Sequence, residues 1–136
     1  MTTAGGRVDE LKPIAEGLNE CHYRMLLELT TDIAWKTAGS GEVESELPGW
    51  SDFTGQNYKE MQGWGWLSAV HPDDRARTAS AWATAVATKS VFRIEHRVRR
   101  PNGEYRYMRA RAMPVMGEDG AIVQWIGAHI DITEHR

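Results

Sequence analysis

The sequence predicts an α+β domain: one five-stranded antiparallel sheet with helices over one face. Three observations lead there. Two short strand patterns, residues 33–37 and 43–47, flank the turn-forming Gly39-Ser-Gly41. Three longer strand patterns, residues 91–99, 104–115 and 121–132, follow one another through Asn102-Gly103 and Asp119-Gly120, the strongest short hairpin signals. Helical periodicity is confined to residues 15–30 and 73–89. A lone hairpin is marginal and exposes both edges, so the economical solution joins the two strand groups into one sheet.

Residues 1–14 are small and polar around Gly5 and Gly6 and read as a flexible lead-in. From residue 15 to 30, Leu18, Cys21, His22, Met25, Leu26 and Leu29 form an amphipathic helical stripe. Pro48-Gly49 ends the first strand pair. Residues 50–67, interrupted by Gly55, Gly63 and Gly65, fit short helical turns and loops. At His71-Pro72-Asp73-Asp74 the helix-start signals converge: a proline suited to the first helical position and two carboxylates where the helix dipole favours them. The helix that follows should bury Ala79, Trp82, Ala83 and Val86. In the last strand Ile122, Ile126, Ala128, Ile130 and Ile132 alternate with Val123, Trp125, Gly127, His129 and Asp131, the pattern of a central strand covered on both faces.

Composition supports one ordinary globular domain. The chain has 136 residues, 41% apolar, and 16 Lys+Arg against 19 Asp+Glu leave a formal charge of −3. Such a length buries roughly two-thirds of its unfolded surface, so neither disulfides nor metals are needed for folding. A single cysteine, Cys21, excludes an internal disulfide framework, and no segment approaches the ~20 apolar residues of a membrane span. No export signal is read in the first residues, so the expected location is the cytoplasm. Six Trp against two Phe is the unusual feature, because each indole carries an N–H that needs a partner when buried.

Several spaced blocks, in order, resemble the PAS sensor family, most closely its tryptophan-rich subgroup with a C-terminal PAC motif. They are Gly63-Trp-Gly-Trp-Leu-Ser-Ala-Val-His-Pro-Asp-Asp-Arg75, Phe92-Arg-Ile-Glu-His-Arg-Val-Arg-Arg-Pro-Asn-Gly-Glu-Tyr-Arg106, Arg111-Ala-Met-Pro-Val115, Gly120 and Asp131-Ile-Thr-Glu134. The resemblance spans about residues 29–136, with the domain proper at 31–132. It implies a sensing or relay module of a longer signalling protein, such as a bacterial sensor histidine kinase or a diguanylate cyclase. It further implies that Asp131 and Thr133 close the last strand and pass the signal on, with residues 133–136 beginning an exit helix toward an output domain. The chain stops three residues after Thr133, which reads as an input domain cut from a longer protein.

No catalytic activity is expected, since no nucleophile, base and orienting group assemble from these motifs and no kinase acceptor or ATP lid is present. Flavin photoreceptors of the light-oxygen-voltage type place a reactive cysteine in a segment similar to Gly55-Gln-Asn-Tyr58-Lys-Glu-Met-Gln-Gly63; here Tyr58 stands in its place and Cys21 lies on the preceding helix, so no adduct can form. Flavin is not expected. Nor is haem, because His71 is explained by helix capping, and His96 and His129 sit on mainly apolar strand faces where a satisfied core histidine is the commoner outcome. No metal site is expected, and the identity of any cofactor stays open. Seven arginines between residues 93 and 111 raise nucleic-acid binding, but their alternation with Ile94, His96 and Val98 is that of a strand with one wet face, and Glu42, Glu44, Glu46 and Asp52 offer acidic partners.

The expected working element is a pocket between the sheet and the helix at 73–89. Its candidates are Trp35, Phe53, Tyr58, Trp66, Trp82, Ile94 and Trp125, and its occupant a small-molecule ligand. The expected partners are a second copy, paired through the N-terminal helix and the sheet face, and an output domain. A rival reading is a ligand-free dimerisation or spacer module whose tryptophans fill the space a ligand would use; a stand-alone binding protein or enzyme is the third.

Overall fold

The computed structural model describes residues 32–135. The expected lead-in, the helix at 15–30, Cys21 and His22 lie outside the described residues. Four strands, β1 (Ile33–Ala38), β2 (Phe92–Arg99), β3 (Tyr105–Met116) and β4 (Ile122–Asp131), form one antiparallel sheet in the order β1-β4-β3-β2. Three α-helices, α1 (Pro48–Thr54), α2 (Tyr58–Met61) and α3 (Pro72–Thr88), fall between β1 and β2, with a 3-10 turn at Gly65–Ala69 and another, Thr133–His135, after β4. No described helix is long and apolar enough to cross a membrane.

The expected fifth strand at 43–47 is not formed. The chain does reverse after β1: Gly41 N–H donates to Ala38 O at 2.9 Å, and Ala38 N–H to Glu42 O at 2.9 Å. Val43 then exchanges both of its backbone bonds with Gly63, at 3.0 and 2.8 Å, so its ladder groups serve the helical middle rather than β1. Pro48, which has no N–H to give a ladder, opens α1 five residues later.

At the start of α3, His71 is the N-cap and its Nδ1 accepts the Asp73 N–H at 3.1 Å, with Pro72 at the first position. The buried stripe of α3 is Asp74, Thr78, Trp82 and Ala85, whereas Ala79 and Val86 are half-buried and Ala83 is exposed. Two polar residues enter the stripe because each has a partner on β2. Asp74 accepts the Arg97 side chain through Nε (3.0 Å) and Nη2 (2.9 Å), and also the Arg97 backbone N–H at 2.9 Å. With Arg77 3.2 Å away as well, its carboxyl is held far below the ordinary carboxylate range. Thr78 meets His96. His71 N–H and the Arg77 guanidinium donate to the Arg97 and Glu95 carbonyls, so α3 occupies the hydrogen-bonding groups of an edge strand that would otherwise invite another chain.

The helix-facing side of the sheet is floored by small residues. In register, Ile33, His129, Ala110 and Ile94 make one cross-strand row, and Trp35, Gly127, Ala112 and Phe92 the next. Trp35 lies flat over Gly127, where an added Cβ would come within 2.3 Å of its indole ring. Ile126 and Ala128, on the opposite face of β4, are also buried, as expected for a central strand. Gly127→Ala should therefore cost about 3 kcal/mol by forcing Trp35 off its seat. Chemical denaturation checks this, and an unchanged midpoint would show that the close approach is not needed.

Candidate functional site

Between the sheet and the helices lies a cavity of about 30 Å³, room for one or two waters. Of the seven expected pocket residues, Trp35, Trp66 and Trp82 line it. Trp125 is fully buried beside it, its ring 5.0 Å from that of Trp82 and its indole N–H donating to Gly39 O at 3.3 Å. Phe53, Tyr58 and Ile94 are half-buried and pack against the core away from the cavity; Phe53 carries the Arg100 guanidinium 4.4 Å over its ring. Lining residues outside the expected pocket set include Trp50, Phe92, His96 and His129.

The indoles meet largely edge to face, Trp35 with Trp82 at 73° and Trp66 with Trp82 at 89°, so they wall a box instead of stacking shut. Three polar groups of the lining are occupied. Trp50 donates to Gln56 Oε1 at 2.7 Å, Trp82 to Gly41 O at 3.0 Å, and Thr37 Oγ1 to Ala38 O at 2.9 Å. Gln56, buried, spends its amide N–H groups on Gly65 O and Ser68 Oγ, which ties α1 to the 3-10 turn carrying Trp66.

A continuous chain of hydrogen bonds crosses this core. Trp35 Nε1 is 2.9 Å from His129 Nδ1, His129 Nε2 is 3.0 Å from His96 Nε2, and His96 Nδ1 is 2.9 Å from Thr78 Oγ1. The two imidazoles are 19° from parallel with centroids 5.2 Å apart. A contact of 3.0 Å is shorter than the roughly 3.5 Å of stacked ring atoms, so the rings meet nitrogen to nitrogen, edge to edge. Burial pushes the pKa of His96 down to about 4, against a partial rise from Asp74 and a further lowering from Arg77. Burial and its histidine neighbour push His129 well below 6.5. Both rings are therefore neutral at pH 7. An indole N–H can only donate, so His129 Nδ1 is bare and its proton sits on Nε2; this proton is donated to His96 Nε2, which leaves the His96 proton on Nδ1, donated to Thr78. One donor thus sets both tautomers.

The other expected functional residues sit where β4 ends. Asp131 accepts from Arg106 Nε at 2.7 Å, from Thr133 Oγ1 at 2.7 Å and from Thr133 N–H at 2.9 Å, while Thr133 Oγ1 accepts the Tyr107 N–H at 2.9 Å. Partial burial pushes the Asp131 carboxyl upward, but the Thr133 and Arg106 bonds outweigh it and hold the group below its ordinary value. Within the domain, three arginines of β2 and β3 pair with acids other than Glu42, Glu44, Glu46 and Asp52: Arg97 with Asp74, Arg109 with Glu95, and Arg106 with Asp131 and Glu104. Asp74 is brought near by the start of α3, Glu95 and Asp131 by strand pairing, and Glu104 by lying two residues before Arg106.

An antiparallel sheet with short helices and an aromatic cavity on one face defines a class of sensor-type α+β domains. The chain belongs to the PAS fold family, whose model matches residues 47–129. It is 38% identical over 115 residues to protein y4lL of Sinorhizobium fredii, covering 85% of this chain and 14% of that protein. It is 27% identical over 135 residues to the peroxide stress-activated histidine kinase mak1 of Schizosaccharomyces pombe, covering 92% of this chain and 8% of that protein. The chain thus spans a small part of either curated relative. The N-terminal domain of a diguanylate cyclase with a PAS/PAC sensor from Marinobacter aquaeolei superposes with a TM-score of 0.65 at 20% identity, over 76% of this chain and 98% of that one. PAS sensory domains of this kind occur in histidine kinases and diguanylate cyclases.

Trp35→Phe keeps an aromatic ring, though a smaller one, and deletes the donor, leaving His129 Nδ1 buried and unpaired. We expect it to lower stability by about 1–3 kcal/mol. Urea unfolding measures this, and a wild-type midpoint would mean that the indole bond contributes nothing.

Proposed function

We propose that the chain is a PAS sensory and relay input module of a bacterial signalling protein, a sensor histidine kinase in the first instance, working in the cytoplasm without chemistry of its own. The names of the histidine kinase and diguanylate cyclase relatives support this reading, and a diguanylate cyclase is the alternative output. The observation that carries it is that one strand serves both ends of a relay. β4 presents Gly127 and His129 beneath the cavity and ends at Asp131, whose carboxylate holds Arg106 and Thr133. A change in how Trp35 or His129 packs shifts β4, and a shift of β4 strains the Asp131 junction, from which the chain leaves. A ligand or partner that favours one of two packings biases the junction by its difference in affinity for them. A second copy joins through residues 15–30 and the outward sheet face, where Ile130 is exposed.

The small cavity favours a second reading, a ligand-free dimerisation or spacer module whose tryptophans already fill the space. Native mass spectrometry of freshly purified protein separates the two, since only the first predicts added mass. The relay itself is tested by fusing residues 1–136 to a histidine kinase core. Asp131→Ala should uncouple kinase output from the input domain by tenfold or more while circular dichroism stays unchanged. Full coupling in a folded Asp131→Ala fusion would remove Asp131 from the relay.

A further inference from the structure

We propose that the His96–His129 pair is a proton-binding site, and that uptake of one proton expels Trp35 from the cavity wall. The neutral pair holds two protons on four ring nitrogens, and every nitrogen is already engaged: two donate and two accept. A third proton has no free lone pair to occupy. If the head-on His–His bond survives, one Nε2 must remain bare to accept the other's proton, so both Nδ1 atoms are protonated. His129 Nδ1–H then confronts the Trp35 N–H across 2.9 Å. His96 and Thr78 are almost wholly enclosed, whereas Trp35 is half-buried and stands on the edge strand β1, so Trp35 is the group that can leave. Its departure uncovers Gly127 and enlarges the cavity.

The proton has a route. His96 lines the aromatic cavity and also an outer cleft of about 390 Å³ shared with Asp74, Arg77, Glu95, Arg97 and Tyr107. Charged groups stand around the pair on three elements: Asp74 and Arg77 on α3, Glu95 and Arg97 on β2, with Glu95 paired in turn to Arg109, and on β4, two residues past His129, Asp131, held by Arg106. Asp74 is neutralised by Arg97 and Arg77, so it does not hold a proton on His96 at neutral pH. β1 and α1 contribute only the indoles of Trp35 and Trp50.

The direction with pH follows from linkage. In the closed arrangement His96 titrates near 4, and in an opened one it approaches its ordinary 6.5. The closed form is therefore fully favoured above 6.5 and loses ground as pH falls toward 4, by up to tenfold per pH unit for each histidine that gains a proton on opening. This stands on the geometry of the pair alone, whether or not the domain relays a signal.

The test is a ¹⁵N NMR titration of the 136-residue chain from pH 7.5 to 4, reading the indole N–H signals, with that of Trp35 assigned by its loss in Trp35→Phe. We expect the Trp35 signal to move reversibly with a midpoint between 6.5 and 4 while the signals of Trp82 and Trp125 stay in place. His129→Gln, which offers a donor and an acceptor that do not titrate, should abolish the movement. The proposal fails if Trp35 keeps its hydrogen bond until all indole signals collapse together. It also fails if the movement persists at the same pH in His129→Gln; should that variant not fold, the wild-type titration decides alone.

Discussion

The indole nitrogen of Trp35 carries a hydrogen and no in-plane lone pair, so it can only donate, and the buried polar groups of this core are ordered around that constraint. From it follow the bare Nδ1 of His129, the donated Nε2–H, the bare Nε2 of His96 and the Nδ1–H offered to Thr78. The direction of every bond is set at one end. Two imidazoles can be enclosed here because each is neutral and each nitrogen has a partner, which spares the core the cost of an unpaired polar group. The same indole is seated by packing. Gly127 beneath it has no side chain, and Ala110 and Ala112 lower the sheet floor alongside, so hydrogen bonding and shape place Trp35 together.

Two of the polar links that fasten helix α3 to the sheet lie one turn apart on one helix face. Asp74 grips Arg97 at the rim, and Thr78 reaches His96 inside. The first contact sees solvent and the second does not, so the helix couples the outer cleft to the interior cavity. Trp82, one turn further on, closes the cavity with its N–H given to Gly41, where the chain turns back from β1. The cavity is thus bounded by Thr37, Trp50 and Trp82, whose polar atoms are committed elsewhere, and by the apolar Val43, Leu47 and Phe92, so its lining is largely apolar.

Much of this was legible where the chemistry is local. The cap and proline at His71-Pro72, and the glycine turns at Gly103 and Gly120, both with positive φ, depend on a few neighbouring residues. The segment 43–47 looks like a strand because its apolar ends, Val43 and Leu47, are buried and its glutamates exposed; but Ser45 between them is exposed too, and the backbone partner of Val43 is Gly63 instead of β1. Burial pattern and ladder pairing are separate properties. Apolar periodicity alone does not locate the stripe of α3, because Asp74 and Thr78 face inward only where β2 supplies Arg97 and His96. The histidine pair was out of reach for a related reason. His96 and His129 stand on strands separated by β3, and their meeting depends on two registers and on the small Ala110 opposite His129. Trp50, without an assigned role in the sequence, is explained by Gln56, six residues away, and by its ring 5.3 Å from His129. Asp131 and Thr133 were indicated by family resemblance, but their partner Arg106 emerges only from the pairing of β3 with β4.

The central claim is that a single donor orders the buried chain from Trp35 to Thr78. Imidazole ¹⁵N chemical shifts at pH 7.5 test it most directly, because protonated and bare ring nitrogens are well separated in frequency. The account predicts two neutral rings of opposite tautomer, His129 protonated on Nε2 and His96 on Nδ1. A His129 protonated on Nδ1, or a positive charge on either ring at that pH, would contradict it.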